Sequence, residues 1–191
     1  MITGIILASG FSKRMTRDKL LLSVEGMPLV ERVVKAAKIS LIDEIILVYQ
    51  NEEIKKIADK YGVKAVYNKK AAEGKSAAVK LGISSSHPDT EGFMFLVGDQ
   101  PYLDSSTINK LIDIFKTEKH PVVVPVYAGK RGNPVLFSSK LKEELLKLEG
   151  DCGGRDVIEK MSVNVKQVDI DLSITGTDID TQEEYEKIRE M

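Results

Sequence analysis

Thr3-Gly4-Ile5-Ile6-Leu7-Ala8-Ser9-Gly10-Phe11-Ser12-Lys13-Arg14-Met15-Thr16-Arg17-Asp18-Lys19, residues 3–19, changes character at its middle. The first six residues are almost continuously apolar, the pattern of a strand buried on both faces. A turn of small residues, Ser9-Gly10, follows at once. Lys13, Arg14, Arg17 and Lys19 then place four cations in ten residues. Gly10 lets the backbone turn tightly enough for successive N–H groups to point at one anion. Arg14 offers a planar fork to phosphate oxygens and Lys19 a compact point charge. A solvated basic turn is the plainer reading of such a loop. The density of cations directly beyond a buried strand favours anion binding, and a polyphosphate needs amides for its inner oxygens and long cations for its outer ones.

Outward from this stretch, short apolar runs alternate with amphipathic segments. The expected strands are Thr3–Ala8, Glu44–Tyr49, Val63–Tyr67, Phe93–Val97, Val122–Val126 and Val163–Val168. The expected helices are Pro28–Lys38, Glu52–Tyr61, Ser76–Ser85, Ser105–Thr117, Ser138–Leu148, Gly154–Met161 and Thr181–Met191. Leu29, Val30, Val33, Val34 and Ala37 recur at helical spacing in the first, and Thr181 with Glu184 forms a capping-box pattern in the last. Strand–helix alternation predicts an α/β fold, a Rossmann-like three-layer α/β/α sandwich on a mainly parallel sheet. In such sheets the ligand lies beyond the carboxyl ends of the strands, so the loops after strands carry the chemistry.

The chain has 191 residues and no linker-like or low-complexity tract, which predicts one domain over residues 1–191. A net charge of −1 gives no reason to expect nucleic acid or a membrane surface as partner, so any anion site must be built locally. The single cysteine, Cys152, has no second thiol to pair with. No apolar run approaches the length of a membrane span, and the first residues lack a signal-peptide pattern. These features predict a cytoplasmic protein.

Phe93-Met94-Phe95-Leu96-Val97 runs into Gly98-Asp99-Gln100-Pro101. A carboxylate at the end of a buried parallel strand faces the ligand crevice, and magnesium takes one or two carboxylates together with substrate phosphates. Asp99 fits that role, although Asp before Pro is also a common turn residue. Glu73-Gly74-Lys75-Ser76 ends like a Walker A loop, but the required first glycine would fall at Lys69, and no G-x-G-x-x-G follows any strand, so a P-loop or dinucleotide fold is disfavoured. Ser76 alone reads as an ordinary N-cap. Gly129-Lys130-Arg131-Gly132-Asn133-Pro134 is a second basic glycine-rich turn, and Gly150-Asp151-Cys152-Gly153-Gly154-Arg155 a third small-residue element. Asp178 and Asp180 alternate, so an extended segment aims both to one side. His87 and His120 sit beside prolines without metal-ligand spacing and read as loop residues.

Leu7-Ala8-Ser9-Gly10-Phe11-Ser12-Lys13-Arg14-Met15, with Lys19 and Gly26-Met27-Pro28-Leu29, resembles the signature of the MobA-like NTP transferases. Gly98-Asp99-Gln100-Pro101 resembles that family's magnesium-holding element. Arg131-Gly132-Asn133-Pro134, Gly150 to Arg155, and Asp178-Ile179-Asp180-Thr181 resemble elements of its molybdenum cofactor cytidylyltransferase branch, with Ser9, Gly154, Gln182 and Glu184 as departures. The resemblance implies the fold of nucleotide-diphospho-sugar transferases and transfer of a nucleoside monophosphate, CMP from CTP in this branch, to the phosphate of molybdopterin. It implies Arg14, Lys19 and Asp99 as catalytic residues. Leu7, Ala8, Ser9, Gly10, Arg14, Lys19, Gly74 and Ser76 would bind nucleotide, and Arg131, Asn133, Asp151 and Arg155 the acceptor. Asp99 and Asp180 would hold Mg²⁺, and a molybdenum hydroxylase would be the client. Two competitors are the same transfer to a sugar phosphate or other small phosphate, and a non-catalytic nucleotide-dependent carrier of cofactor.

Overall fold

Buried, β-branched runs form the centre of the computed structural model, which describes residues 1–10, 18–161 and 165–189, apart from the side chains at 155, 156, 160, 161, 173 and 189. The strands are β1 (Ile2–Ala8), β2 (Ser23–Val24), β3 (Met27–Pro28), β4 (Glu44–Tyr49), β5 (Lys64–Tyr67), β6 (Gly92–Val97), β7 (Val122–Tyr127), β8 (Lys130–Arg131), β9 (Val135–Ser138) and β10 (Val165–Ile170). The helices are α1 (Leu29–Lys38), α2 (Glu52–Lys60), α3 (Lys75–Ser84), α4 (Ser105–Glu118), α5 (Lys142–Leu146), α6 (Gly154–Met161) and α7 (Gln182–Arg189).

The main sheet has the order β10-β7-β9-β6-β1-β4-β5, with β8 added to β7. β1 pairs in parallel with both β4 and β6, and β4–β5 and β7–β10 are also parallel. Only β9 and β8 run antiparallel to their neighbours. The strands of this sheet present apolar side chains to both faces. Ile2, Ile6 and Ala8 of β1 pack into one core with α1, α2 and α4 residues such as Val33, Ile54 and Leu111. Ile5 points into the other core with Val79 and Ile83 of α3, Leu145 of α5 and Ile158 of α6. This is the three-layer α/β/α arrangement expected from the alternation of patterns, and burial of both sheet faces is its main source of stability.

Differences from the expected elements have local causes. Val135-Leu136-Phe137, absent from the expected strands, and Ser138, expected to open a helix, pair between β6 and β7 as β9, the antiparallel insertion. The helix expected over Ser138–Leu148 begins instead as a 3₁₀ turn, Ser139–Leu141, because the Ser138 hydroxyl accepts from the Lys140 amide and starts a tighter coil. α5 then spans only Lys142–Leu146. The last strand is described over Val165–Ile170 and so reaches two residues past the expected end at Val168; the expected first residues, 163 and 164, lie outside the described residues. Being an edge strand, β10 carries the mixed polarity of a half-buried strand.

Strand order fixes where a ligand belongs. From β1 the chain moves to β4 and β5 on one side, then returns to β6 on the other. The strand order therefore reverses between the carboxyl ends of β1 and β6, the crevice where open α/β sheets bind ligands. Among the described residues, no helix is long and apolar enough to cross a membrane.

Candidate active site at the ends of the first and sixth strands

Three separate segments converge on that crevice. The first is a 3₁₀ turn at Lys19–Leu21, nucleated by Asp18, whose carboxylate accepts from the Leu20 amide and from Asn51 Nδ2 at 3.0 Å. Leu20 is buried and packs beside Gly98, where an added Cβ would lie 3.2 Å from Leu20 Cδ2. The turn thereby aims Lys19 at the end of β6. The second segment is Gly98-Asp99-Gln100: the Gly98 amide donates to the Leu7 carbonyl at 3.3 Å, which extends the β1–β6 ladder to the residue before Asp99.

The third segment comes from far along the chain. Ile179 is fully buried against Val24, Leu29 and Tyr185, and its amide donates to the Asp99 carbonyl at 3.1 Å. α7 locks this return: the Tyr185 hydroxyl donates to the Ser23 carbonyl at 2.8 Å, and Thr181 and Glu184 form the expected capping box. Glu184 also accepts from the Asp180 amide. With Ile179 pointing inward, Asp178 and Asp180 turn toward the crevice on either side of it.

The result is an ammonium among carboxylates. Lys19 Nζ donates to Asp99 Oδ2 at 2.6 Å and to Asp180 Oδ1 at 2.7 Å. Burial alone would lower the Lys19 pKa; the Asp99 charge and the hydrogen bonds to Asp180 and Asp99 overcome it and hold the group above its ordinary value. The protein packed around the Asp178 carboxyl, together with the like charge of Asp99 and then Asp180, pushes Asp178 up to about 6, against a Gln100 hydrogen bond and the Lys19 charge. Asp99 Oδ1 is buried and has no hydrogen-bond partner. Three carboxylates around one ammonium leave a local excess of negative charge, and an orphaned buried carboxylate oxygen is costly unless a donor or cation meets it.

These features fit a divalent cation. Asp99 offers a hard oxygen without a hydrogen-bond partner, the Asp180 carboxylate faces it across the Lys19 ammonium, and Lys19 occupies the position of a positive charge between them. Among the described residues, no group of three or more His, Cys, Asp or Glu side chains forms a complete metal cage. A cation here would thus draw its remaining oxygen ligands from substrate and water, the usual condition for magnesium.

The other expected residues divide into two sets. Leu7, Ala8, Ser9 and Gly10 line the end of β1. Ser9 is buried, and its hydroxyl accepts from Asn68 Nδ2 at 2.9 Å. Asn68, itself buried, donates its amide to the Tyr49 carbonyl and so pins the first loop to the end of β4. Arg14 and the Arg155 side chain lie outside the described residues. Gly74 adopts φ +99°, and a Cβ there would come within 2.4 Å of the Gly150 carbonyl carbon. The Ser76 amide donates to the Gly150 carbonyl at 3.1 Å, so the turn carrying Asp151 caps α3 in place of a side chain. The nucleotide element at Gly74–Ser76 and the acceptor element at Gly150–Asp151 are therefore in direct contact. Arg131 is exposed and pairs with Val126 as the second residue of β8, and the Gly132 amide donates to the Pro125 carbonyl, so the Arg131–Asn133 segment runs back alongside the carboxyl-terminal half of β7. His87 and His120 occupy loops, as expected. Asn68 and Tyr127 carry structural importance that no motif announced.

Comparison with known proteins agrees with this geometry. A family model described as MobA-like NTP transferase domain matches residues 4–166. Purine catabolism protein PucB of Bacillus subtilis (strain 168) is 26% identical over 98% of this chain and 96% of its own length. A probable molybdenum cofactor guanylyltransferase of Aquifex aeolicus (strain VF5) is 26% identical over 97% of this chain and 89% of its own. Among solved structures, Rv0371C of Mycobacterium tuberculosis H37Rv in complex with manganese superposes with a TM-score of 0.82 at 25% identity, covering 99% of this chain and 98% of that one.

Proposed function

Since this chain belongs to the MobA-like NTP transferase family, we propose that it transfers CMP from CTP to the phosphate of a molybdopterin-type acceptor, with Mg²⁺ and release of pyrophosphate. The observation that carries the reading is the Lys19 ammonium held at 2.6 and 2.7 Å between Asp99 and Asp180, at the strand-order reversal. The Aquifex relative, a probable molybdenum cofactor guanylyltransferase, supports a molybdenum cofactor acceptor. The Arg131-Gly132-Asn133-Pro134 and Gly150–Arg155 elements support the cytidylyl branch. The domain spans the whole of residues 1–191, and its setting is the cytoplasm.

In this reading an oxygen of the acceptor phosphate attacks the α-phosphorus in line. A new P–O bond forms, the bond to the bridging oxygen of the β-phosphate breaks, and pyrophosphate leaves with the electron pair. The attacking oxygen is already ionised, so no side chain need act as general base. Asp99 and Asp180 would hold the divalent cation, which neutralises charge at the α-phosphate when bound. Lys19 swings from the carboxylates to the β- and γ-phosphates, and with Arg14 stabilises the leaving group. The Ser9–Gly10 amides, Gly74 and Ser76 bind the nucleotide, and Arg131, Asn133, Asp151 and Arg155 orient the acceptor. The protein's contribution is positioning and charge stabilisation.

The test is incubation of the protein with Mg²⁺, each of the four NTPs and molybdopterin, with mass analysis of the products. The expected result is a cytidine dinucleotide of molybdopterin plus pyrophosphate. A guanosine product would overturn the nucleotide assignment, and turnover of a sugar phosphate but not molybdopterin would overturn the acceptor. Nucleotide binding without pyrophosphate release is the behaviour of a non-catalytic carrier and would overturn the enzyme.

A further inference from the structure

Tyr127 closes β7 at the same end of the sheet as Asp99, and it joins two elements that lie far apart in sequence. Its ring is buried between two glycines. A Cβ on Gly132 would come within 2.7 Å of the ring, and one on Gly176 within 2.3 Å, so both backbones rest directly on its faces or edges. The Tyr127 hydroxyl donates to the Asn133 carbonyl at 2.8 Å. On the other side, the Gly176 carbonyl accepts from Gln100 Nε2 at 3.3 Å, and Gln100 is buried beside Asp99. Ile179, three residues past Gly176, donates to the Asp99 carbonyl. One phenol thus sits between the Arg131-Gly132-Asn133 turn and the segment that delivers Asp178 and Asp180.

We infer that Tyr127 is a positioning residue that sets the distance between the acceptor segment at 131–133 and the carboxylate segment at 176–180, its ring packed on a glycine of each and its hydroxyl tied to the Asn133 carbonyl. The inference rests on the proposed acceptor role of that turn. Steric evidence supports it independently of any motif: glycine is required at both 132 and 176 for the backbones to approach the ring this closely. The hairpin carrying Arg131 is tied along its backbone to the end of β7, through the two residues of β8 and the Gly132 amide, which donates to the Pro125 carbonyl at 3.0 Å; the Tyr127 ring is the side chain packed against that backbone. The phenol is a suitable anchor, since burial keeps its pKa far above neutrality and the hydroxyl remains a donor.

The two halves of the contact separate experimentally. Tyr127→Phe keeps the ring between the two glycines and removes the hydroxyl that bonds the Asn133 carbonyl and meets the Thr175 side chain. It should raise the KM for molybdopterin roughly three- to tenfold, the scale of one lost hydrogen bond, with kcat nearly unchanged and Mn²⁺–CTP affinity, read by calorimetry, unchanged. Gly176→Ala pushes the carboxylate segment off the ring and should weaken Mn²⁺–CTP binding instead. A purely structural tyrosine would give the opposite pattern: a lower melting temperature with KM and nucleotide affinity unaffected, or all parameters falling together. Arg131→Ala distinguishes the inference from the reading beneath it. If Arg131→Ala raises the molybdopterin KM and Tyr127→Phe does not, the tyrosine's role is overturned. If neither variant moves that KM, the turn does not serve the acceptor and the inference falls with it.

Discussion

Asp99→Asn should lower turnover about 10³-fold while leaving the fold intact. The substitution keeps side-chain shape and the backbone bond from Ile179, so far-UV and near-UV circular dichroism should match those of the parent. It removes the charge from a carboxylate that stands at the strand-order reversal with one buried, unpartnered oxygen. Preorganised charge at a phosphoryl centre contributes on the order of 10²–10³ in rate for each group lost, and loss of a metal ligand adds to this. Pyrophosphate release under saturating Mg²⁺, CTP and molybdopterin is the measurement. Turnover within tenfold of the parent would show that Asp99 is a turn residue and no more.

Lys19→Met should have two effects of opposite sign. Turnover should fall by at least ~10², because the triphosphate loses the cation aimed at its outer oxygens. In the absence of nucleotide, however, Mn²⁺ should bind more tightly than to the parent. The Lys19 ammonium lies 2.6 Å from Asp99 and 2.7 Å from Asp180, so it competes directly for the oxygens a cation would use. Removing one such charge at this range, even at an effective dielectric constant near 20, is worth more than the ~1.4 kcal/mol that separates tenfold affinities. Electron paramagnetic resonance titration of free Mn²⁺ reads the change directly. The metal-free variant should also melt at lower temperature, since the repulsion among Asp99, Asp178 and Asp180 is no longer offset by the Lys19 ammonium, and added Mn²⁺ should restore the loss. Unchanged Mn²⁺ affinity would mean that the lysine and the metal occupy different places.

The sheet was legible in the sequence where burial on both faces writes itself as a continuous apolar run. Thr3–Ala8, Glu44–Tyr49, Phe93–Val97 and Val122–Val126 all fall within observed strands. β9 was not legible, because a four-residue apolar stretch after a proline looks the same whether it is a loop tail or an antiparallel insertion. The capping box at Thr181 and Glu184 was readable because its two hydrogen bonds depend only on local spacing. Asp99 was readable for a similar reason: a carboxylate that ends a buried strand has one direction to face. The alternation of Asp178 and Asp180 was readable too, but the cause of their arrival at Asp99 was not, since it lies in burial of Ile179 against Val24 and Leu29, some 150 residues earlier. Tyr127 and Asn68 were invisible for the same reason. Each acts through a contact with a backbone or hydroxyl far away in sequence, and their residue types at those positions signal only a strand end. Ser76, which reads from the sequence as an ordinary N-cap, lies one residue inside α3 behind Gly74, and its amide is taken by the Gly150 carbonyl, a long-range contact that no local pattern encodes.

The most direct measurement is a crystal structure of the chain with Mn²⁺ and a non-hydrolysable CTP analogue, using the anomalous signal of manganese. The account predicts manganese about 2.1 Å from an Asp99 carboxylate oxygen, with Asp180 and an α-phosphate oxygen completing its contacts and the Lys19 ammonium moved onto the β- and γ-phosphates. Nucleotide bound elsewhere, or manganese absent from Asp99 while Lys19 still bridges the two carboxylates, would contradict it.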